Sequence, residues 1–507
     1  MLVHEFLTRS AARLPQKAAL VCDGQRLTFA KLDEMSNRLA NALVEQGVQR
    51  GDRVAVHLHN SAEAVVGIFA TLKAGATFVL IGASTKSARL RCILNDCRAA
   101  ALLLDRRIGT EELRALLRDV PSLGCLVLCG PAGIEPDARM HGFDEIQASV
   151  SAAPISALGT ESDLACLVYT SGSTGEPKGV MCDHGNVDFA SDSIIAYLGN
   201  TEDDVVLDVL PLSFDYGLYQ LLMTVKFGGT LVLERSFAYP ALALQRIQEE
   251  RVTGFPGVPT IFATLLRMDR SAFDLSSLRY MTNTAAALSP GLISELLRAF
   301  PGVTLYSMYG LTETKRTLYL PPDQLVCRPD SVGIPIPGTE AWIEDEAGRR
   351  LGAGETGELV VRGRHVMRGY WESPEATAER FRPSAVPGER LCYSGDLFRM
   401  DDEGYFYFVS RRDDIIKCRG QKVAPKEVED VLHMLPGVTA AVVGVPDPVA
   451  GEVVKAFVVC GGEPLTESKV VAHCRAHLED HKVPTYIEFR SELPTTPSGK
   501  VDKTSLR

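Results

Sequence analysis

The sequence predicts an α/β protein, with a large N-terminal domain of helix-covered sheets and a small α+β C-terminal domain. Three observations predict it. The chain has 507 residues, too many for one hydrophobic core. Helical and strand patterns alternate over residues 1–410, as in mainly parallel sheets covered on both faces. Near residue 410 the alternation stops at a charged cluster between two strand-like runs, and the remainder is long enough to fold alone.

The elements follow in order. "TFAKLDEMSNRLANALVEQG" (28–47) places Leu32, Met35, Leu39 and Leu43 at helical spacing. "RVAVHL" (53–58) reads as a strand, "SAEAVVGIFATLKAG" (61–75) as a helix ended by glycine, and "TFVLI" as the next strand. Further strands are "AAALLLD", "CLVLCG", "VVLDVL" and "TLVLE". "YFYFVSRRDDIIKCRGQKV" (405–423) carries the change of texture. Helix "PKEVEDVLHML", strands "TAAVVGV" and "KAFVVC", helix "TESKVVAHCRAHLED" and strand "TYIEFR" come after it. The domains are therefore placed at 1–412 and 413–507.

Composition narrows the function. Hydrophobic residues make up 46% and charged residues 23%, ordinary for a globular chain. A net charge of -11 argues against nucleic acid or an anionic membrane as the main partner. The 12 cysteines are scattered without a C-x-x-C pair, and "MLVHEFLTRSAARLPQ" carries charges where a secretory leader needs an apolar run. Both point to reduced thiols and a cytoplasmic location.

One stretch carries chemistry on its own. "YTSGSTGEPKGVM" (169–181) follows an apolar run and precedes a helical pattern beginning near Asn186. Gly172, Gly175 and Gly179 let backbone N–H groups converge, Ser171, Ser173 and Thr174 add hydroxyls, and Lys178 adds a charge. Strand, glycine-rich loop and helix in that order read as a phosphate cradle, although G-x-x-x-x-G-K-[ST] is not satisfied. A solvent linker would need neither Pro177 and Lys178 nor a buried strand before it. "GAGETG" (352–357) fits G-x-G-x-x-G but precedes a strand, so it reads as a hairpin turn. His473, His477 and His481 lack H-E-x-x-H or a cysteine pair and read as a helix face.

Five segments in the right order resemble the adenylate-forming superfamily of acyl-CoA synthetases, peptide-synthetase adenylation domains and luciferases. They are the glycine-rich stretch, "YGLTET" (309–314), "YSGDL" (393–397), "SRRDDIIKCRG" (410–420) and "PTTPSGKVDK" (494–503). The resemblance runs nearly end to end. It implies that a carboxylate attacks the α-phosphate of ATP, and that a thiol, usually a phosphopantetheine, then attacks the acyl-adenylate. Thr170, Ser171, Gly172, Ser173, Thr174, Gly175 and Lys178 would hold the leaving phosphates. Tyr309 and Gly310 would contact adenine, Thr312 the α-phosphate, and Glu313 Mg²⁺. Asp396, with Arg411 beside it, would accept from the ribose hydroxyls. Lys500 would bridge the reacting carboxylate and α-phosphate, and Asp413 would be the hinge. Ser394 stands where the family usually has Thr, and Ser410 where it has Gly. "TNTAAALSP" (282–290) replaces a glycine-rich pocket segment.

The resemblance also bears on the substrate. "LPLSFDYGLYQLL" (210–222) would form a pocket wall with Asp215 and Tyr219, and Thr284 would line the other side. Many acyl- and aryl-CoA ligases carry a His-containing version, whereas amino-acid-activating relatives use an aspartate at this place for the ammonium. A buried carboxylate facing an acyl chain is costly, which favours an amino acid. The other reading of Asp215 is a cap on a helix beginning at Gly217. Lys315 and Arg316 could hold a second carboxylate, or Lys315 could face solvent. The pattern most resembles stand-alone enzymes that load β-amino acids or amino dicarboxylates onto carrier proteins. The thiol would come from a separate acyl or peptidyl carrier protein, or from CoA. A CoA ligase for acyl or aryl acids, and a nucleotide-binding protein without turnover, are the competing readings.

Overall fold

The computed structural model describes residues 1–130, 138–155, 159–171, 177–418, 421–447, 451–461, 465–496 and 500–506. Two large sheets dominate the N-terminal part. In the nine-stranded sheet, six strands run parallel, from Thr304–Tyr309 through Tyr280–Asn283, Gly254–Gly257, Val205–Asp208 and Thr230–Leu233 to Ala18–Cys22. In the seven-stranded sheet, six of the strands, Leu164–Ser171 among them, run parallel, and Pro177–Asp183 closes an edge antiparallel.

Local sequence sets the helices. Helix Phe29–Glu45 starts where Thr28 accepts the Lys31 amide at 3.1 Å, and helix Ala62–Lys73 where Ser61 accepts that of Ala64 at 3.2 Å. Such caps contribute about 1 kcal/mol each. Helix Ala62–Lys73 is buried from Ala64 onward, and helix Asp215–Phe227 from Asp215 to Val225. A helix apolar all round belongs inside. One core joins Leu20 and Leu231 of the first sheet to Val54 and Phe78 of the second through these helices.

A five-stranded antiparallel sheet spans residues 340–411. Alternating helix and strand patterns do not separate it, because its strands pair antiparallel with one helix, Pro374–Arg380, between them. Within it Glu340–Glu344 pairs with Thr356–Arg362, so "GAGETG" is a hairpin connection. Its last strand ends at Arg411, Arg412–Asp414 form one 3₁₀ turn, and Ile416–Cys418 opens a separate five-stranded sheet. That last sheet packs on helices Pro425–His433 and Glu467–His477 with its own core of Val428, Leu432, Val442, Val454 and Cys474. His473 and His477 hydrogen-bond the backbone carbonyls of Val431 and His473, each at 2.9 Å, as residues of a helix face. All twelve cysteines are free, and among the described residues no helix is long and apolar enough to cross a membrane.

Candidate active site

The glycine-rich stretch corrects the strand–loop–helix expectation. It is the tip of a β-hairpin, with Thr170 opposite Lys178 and Ser171 opposite Pro177. The following helix begins only at His184, and its N-terminus is closed by Asp183, whose Oδ1 accepts the Asn186 amide at 2.7 Å. Gly172, Ser173, Thr174 and Gly175 lie outside the described residues, as does the side chain of Ser171. Lys178 is placed, its Nζ 5.6 Å from the centre of the Tyr370 ring.

"YGLTETKR" makes a tight reversal between strands Thr304–Tyr309 and Leu318–Leu320. The Thr317 amide donates to the Tyr309 carbonyl at 2.9 Å, and the Thr314 and Thr317 hydroxyls lie 2.6 Å apart. Gly310 is required here, because a Cβ would collide with the Lys315 carbonyl oxygen. Lys315 itself sits at φ 58°, a left-handed conformation costly for a non-glycine residue. The side chains of Lys315 and Arg316 meet different rings of the pocket helix. Lys315 Nζ lies 5.8 Å from the Tyr219 ring, and the Arg316 guanidinium 4.5 Å from that of Tyr216.

Both cations are inside the protein, Lys315 at 1% and Arg316 at 2% exposure. The solvent-facing reading of Lys315 is therefore wrong. Lys315 Nζ, Arg316 Nε and Nη2, the Tyr219 hydroxyl and Asn283 Oδ1 have no hydrogen-bond partner among the described residues. Buried polar groups are normally paired, so a cluster of open ones marks a place for a polar ligand. Asp215 is the first residue of helix Asp215–Phe227 and does not cap it: Phe214 is the N-cap, with no side-chain bond. Asp215 is also buried. Burial works against the Lys315 ammonium, but Cys182, Asp215, Cys166 and Glu313 outweigh it and raise its pKa. Thr284 is buried on the facing loop, where Ala285 holds φ 74° in place of a glycine.

A second group of the sequence-expected residues assembles around Asp396. Burial pushes its carboxyl up, opposed by Arg411 and by the Tyr309 hydroxyl. That hydroxyl donates to Asp396 Oδ2 at 2.6 Å, and Arg411 Nε stands 3.9 Å from Oδ1. Within strand Arg390–Met400, Ser394 orders the bulge, its Oγ accepting the Asp396 amide at 3.1 Å, a bond a threonine would also make. Glu313 is buried, and its Oε1 accepts from the Tyr370 hydroxyl at 2.6 Å. Thr312 is half-buried beside it. Glu313 Oε2 has no protein donor among the described residues. A single free carboxylate oxygen suits Mg²⁺, which takes few protein ligands and leaves the rest of its shell to phosphates and water.

Lys500 enters this cleft from the C-terminal domain. Burial and Arg411 lower its pKa, while Asp215, Asp396 and Glu313 oppose them. One ammonium thus senses Asp215, Asp396 and Glu313 together. Its backbone is held by Thr496, whose amide donates to the Lys500 carbonyl at 2.7 Å.

Two residues at the site were not read from the sequence. Tyr370 donates to Glu313, and Glu313 is among the charges around Arg380. Arg380 ends helix Pro374–Arg380 and packs on Gly395 so closely that a Cβ there would meet its guanidinium. Glu313 and Asp396 are among the charges around it. No spacing or composition signal marks these positions.

A cleft that gathers a glycine-rich hairpin, a ribose-type aspartate, a free metal-type glutamate and a lysine from a separate lobe defines an adenylate-forming enzyme. Residues 7–371 match the AMP-binding enzyme family and residues 427–500 the AMP-binding enzyme C-terminal domain. The chain belongs to this family, and it is an AMP-forming acid–thiol ligase. It is 36% identical to a feruloyl-CoA synthase of Amycolatopsis sp over 98% of this chain and 97% of that protein. It is 31% identical to tyrocidine synthase 2 of Brevibacillus parabrevis over 99% of this chain but 14% of that one. ATP-bound MatB from Rhodopseudomonas palustris superimposes with a TM-score of 0.90 at 30% identity, covering 100% of this chain and 98% of that one. Apo MatB, with the same identity and coverage, gives 0.81. The o-succinylbenzoate coenzyme A synthetase MenE of Bacillus subtilis, in complex with ATP and magnesium ion, matches at 0.84 and 29% identity, covering 98% of each chain.

Proposed function

We propose that this enzyme adenylates an amino dicarboxylic acid and passes it to the phosphopantetheine thiol of a separate carrier protein. The observation that supports this reading is the set of open polar groups in the acid pocket. Among the described residues Arg316 Nε and Nη2, Lys315 Nζ and the Tyr219 hydroxyl are donors without acceptors, which a second carboxylate would satisfy. Arg316 offers the planar fork that pairs a carboxylate twice. Asp215, close enough to be felt by both lysines, and Asn283 Oδ1 are acceptors for an ammonium. A monocarboxylic fatty or aryl acid would leave these groups buried and unpaired, at about 1–3 kcal/mol each.

In this reading Lys500 bridges the reacting carboxylate and the α-phosphate and stabilises charge as it moves to the leaving pyrophosphate. Thr312 donates to the α-phosphate, Asp396 holds the ribose, and Thr170, Ser171 and Lys178 with residues 172–175 hold the leaving phosphates. Magnesium held by Glu313 would neutralise phosphate charge. Asp413, in the turn between the two five-stranded sheets, is the hinge that lets the small domain exchange Lys500 for the thiol approach.

A second reading has its own support. Lys315 beside Asp215 offsets the charge an ammonium would meet, so a plain dicarboxylate also suits the site. Feruloyl-CoA synthase and MenE are CoA enzymes by name, and CoA presents the same phosphopantetheine thiol. ATP–pyrophosphate exchange over amino dicarboxylic, dicarboxylic, amino, aryl and fatty acids decides between the readings, followed by thiol capture with CoA or a phosphopantetheinylated carrier. Exchange strongest with an aryl or fatty monocarboxylate would refute the pocket assignment.

A further inference from the structure

Tyr370 lies outside every named strand, yet it joins parts of the cleft that are far apart in sequence. Its hydroxyl donates to Glu313 Oε1 at 2.6 Å, across 57 residues, in a buried setting. Its ring faces the Lys178 ammonium at 5.6 Å, within cation–π range. Its backbone is fixed on both sides. Tyr370 bridges Val180 of the glycine-rich hairpin, with the Met181 amide donating to the Gly369 carbonyl at 2.9 Å and the Trp371 amide to the Gly179 carbonyl at 2.7 Å. Its own amide donates to Thr377 Oγ1 of helix Pro374–Arg380 at 2.9 Å. The segment 368–371 thus runs along the hairpin as an added edge, and its tyrosine reaches across to the adenylate loop.

We infer that Tyr370 is a positioning residue for the adenylation half-reaction. Its hydroxyl occupies one oxygen of Glu313 and leaves Oε2 for the divalent cation, while its ring seats Lys178 beside the same phosphates. The hairpin and the Glu313 loop belong to different sheets, and this side chain holds them in register. Ligand groups are tuned by the partners that orient them, and a carboxylate free to swing would lose the cation for part of the time. The inference rests on the reading of Glu313 as the magnesium-holding carboxylate.

The test is ATP binding by calorimetry to the full chain, with magnesium and with EDTA, for wild type, Tyr370→Phe, Glu313→Gln and the double variant. Tyr370→Phe keeps the ring and removes one hydrogen bond to a charged group. It should weaken ATP binding in magnesium roughly tenfold and leave binding in EDTA unchanged, which also shows that the variant is folded. In the Glu313→Gln background it should add little, because its effect passes through that carboxylate. Unchanged magnesium-dependent affinity in Tyr370→Phe, or an equal loss in both backgrounds, overturns the positioning role. If wild type and Glu313→Gln bind ATP alike in magnesium, the reading of Glu313 falls first and this inference falls with it.

Discussion

Arg316 should cost the protein stability in exchange for recognition, and the two can be separated by one substitution. Its guanidinium is at 2% exposure with Nε and Nη2 unpartnered, and it lies 4.5 Å from the Tyr216 ring. Replacing buried charges by apolar groups of similar volume is neutral or stabilising by about 1–4 kcal/mol. The lost cation–π contact offsets about 1–2 kcal/mol of that. Arg316→Met, close in length and flexible, is therefore expected to leave the free protein unchanged or stabilise it by about 1 kcal/mol. For a chain of this size that is a rise in Tm of about 1–2 °C. In the proposed reading the same change removes the partner of a second substrate carboxylate, for which a loss of about 2–5 kcal/mol is expected. In pyrophosphate exchange, kcat/KM for the dicarboxylate should fall roughly thirtyfold to several thousandfold, with its monocarboxylate analogue little affected. A variant that unfolds earlier and loses both acids in parallel would refute the reasoning, because Arg316 would then be a structural residue.

The other expectations concern the moving domain. Lys500→Ala should lose pyrophosphate exchange by orders of magnitude yet still transfer from supplied acyl-adenylate, and equal loss of both halves would remove its assigned role. Burial and Arg411 hold the Lys500 pKa below the ordinary 10.5. Its charged form is therefore lost as pH rises through a value under 10.5, and kcat/KM for exchange should show an alkaline limb there that Lys500→Ala lacks. Asp413→Pro fixes φ in the turn between the sheets; exchange should survive and thiol transfer fall, and unimpaired transfer would place the hinge elsewhere.

Much of this protein is determined locally. The apolar runs that became parallel strands, the serine and threonine caps and the charged break at 412–414 all depend on neighbours within a few residues, so they can be read directly. The motifs that hold Tyr309, Glu313, Asp396 and Lys500 are legible for the same reason, since each is a short contiguous run of residues. Tertiary structure decided the rest. The glycine-rich stretch turned out to be a hairpin tip because Pro177–Asp183 found an edge of the seven-stranded sheet, a pairing that no local periodicity encodes. Lys315 and Arg316 are adjacent in sequence, but a left-handed turn at Lys315 brings them to different rings of one helix and buries both. Tyr370 and Arg380 reach Glu313 only because the antiparallel sheet folds back across the cleft. Sequence patterns report the period of burial, whereas these contacts depend on where separate elements dock, which is settled by packing among residues far apart along the chain.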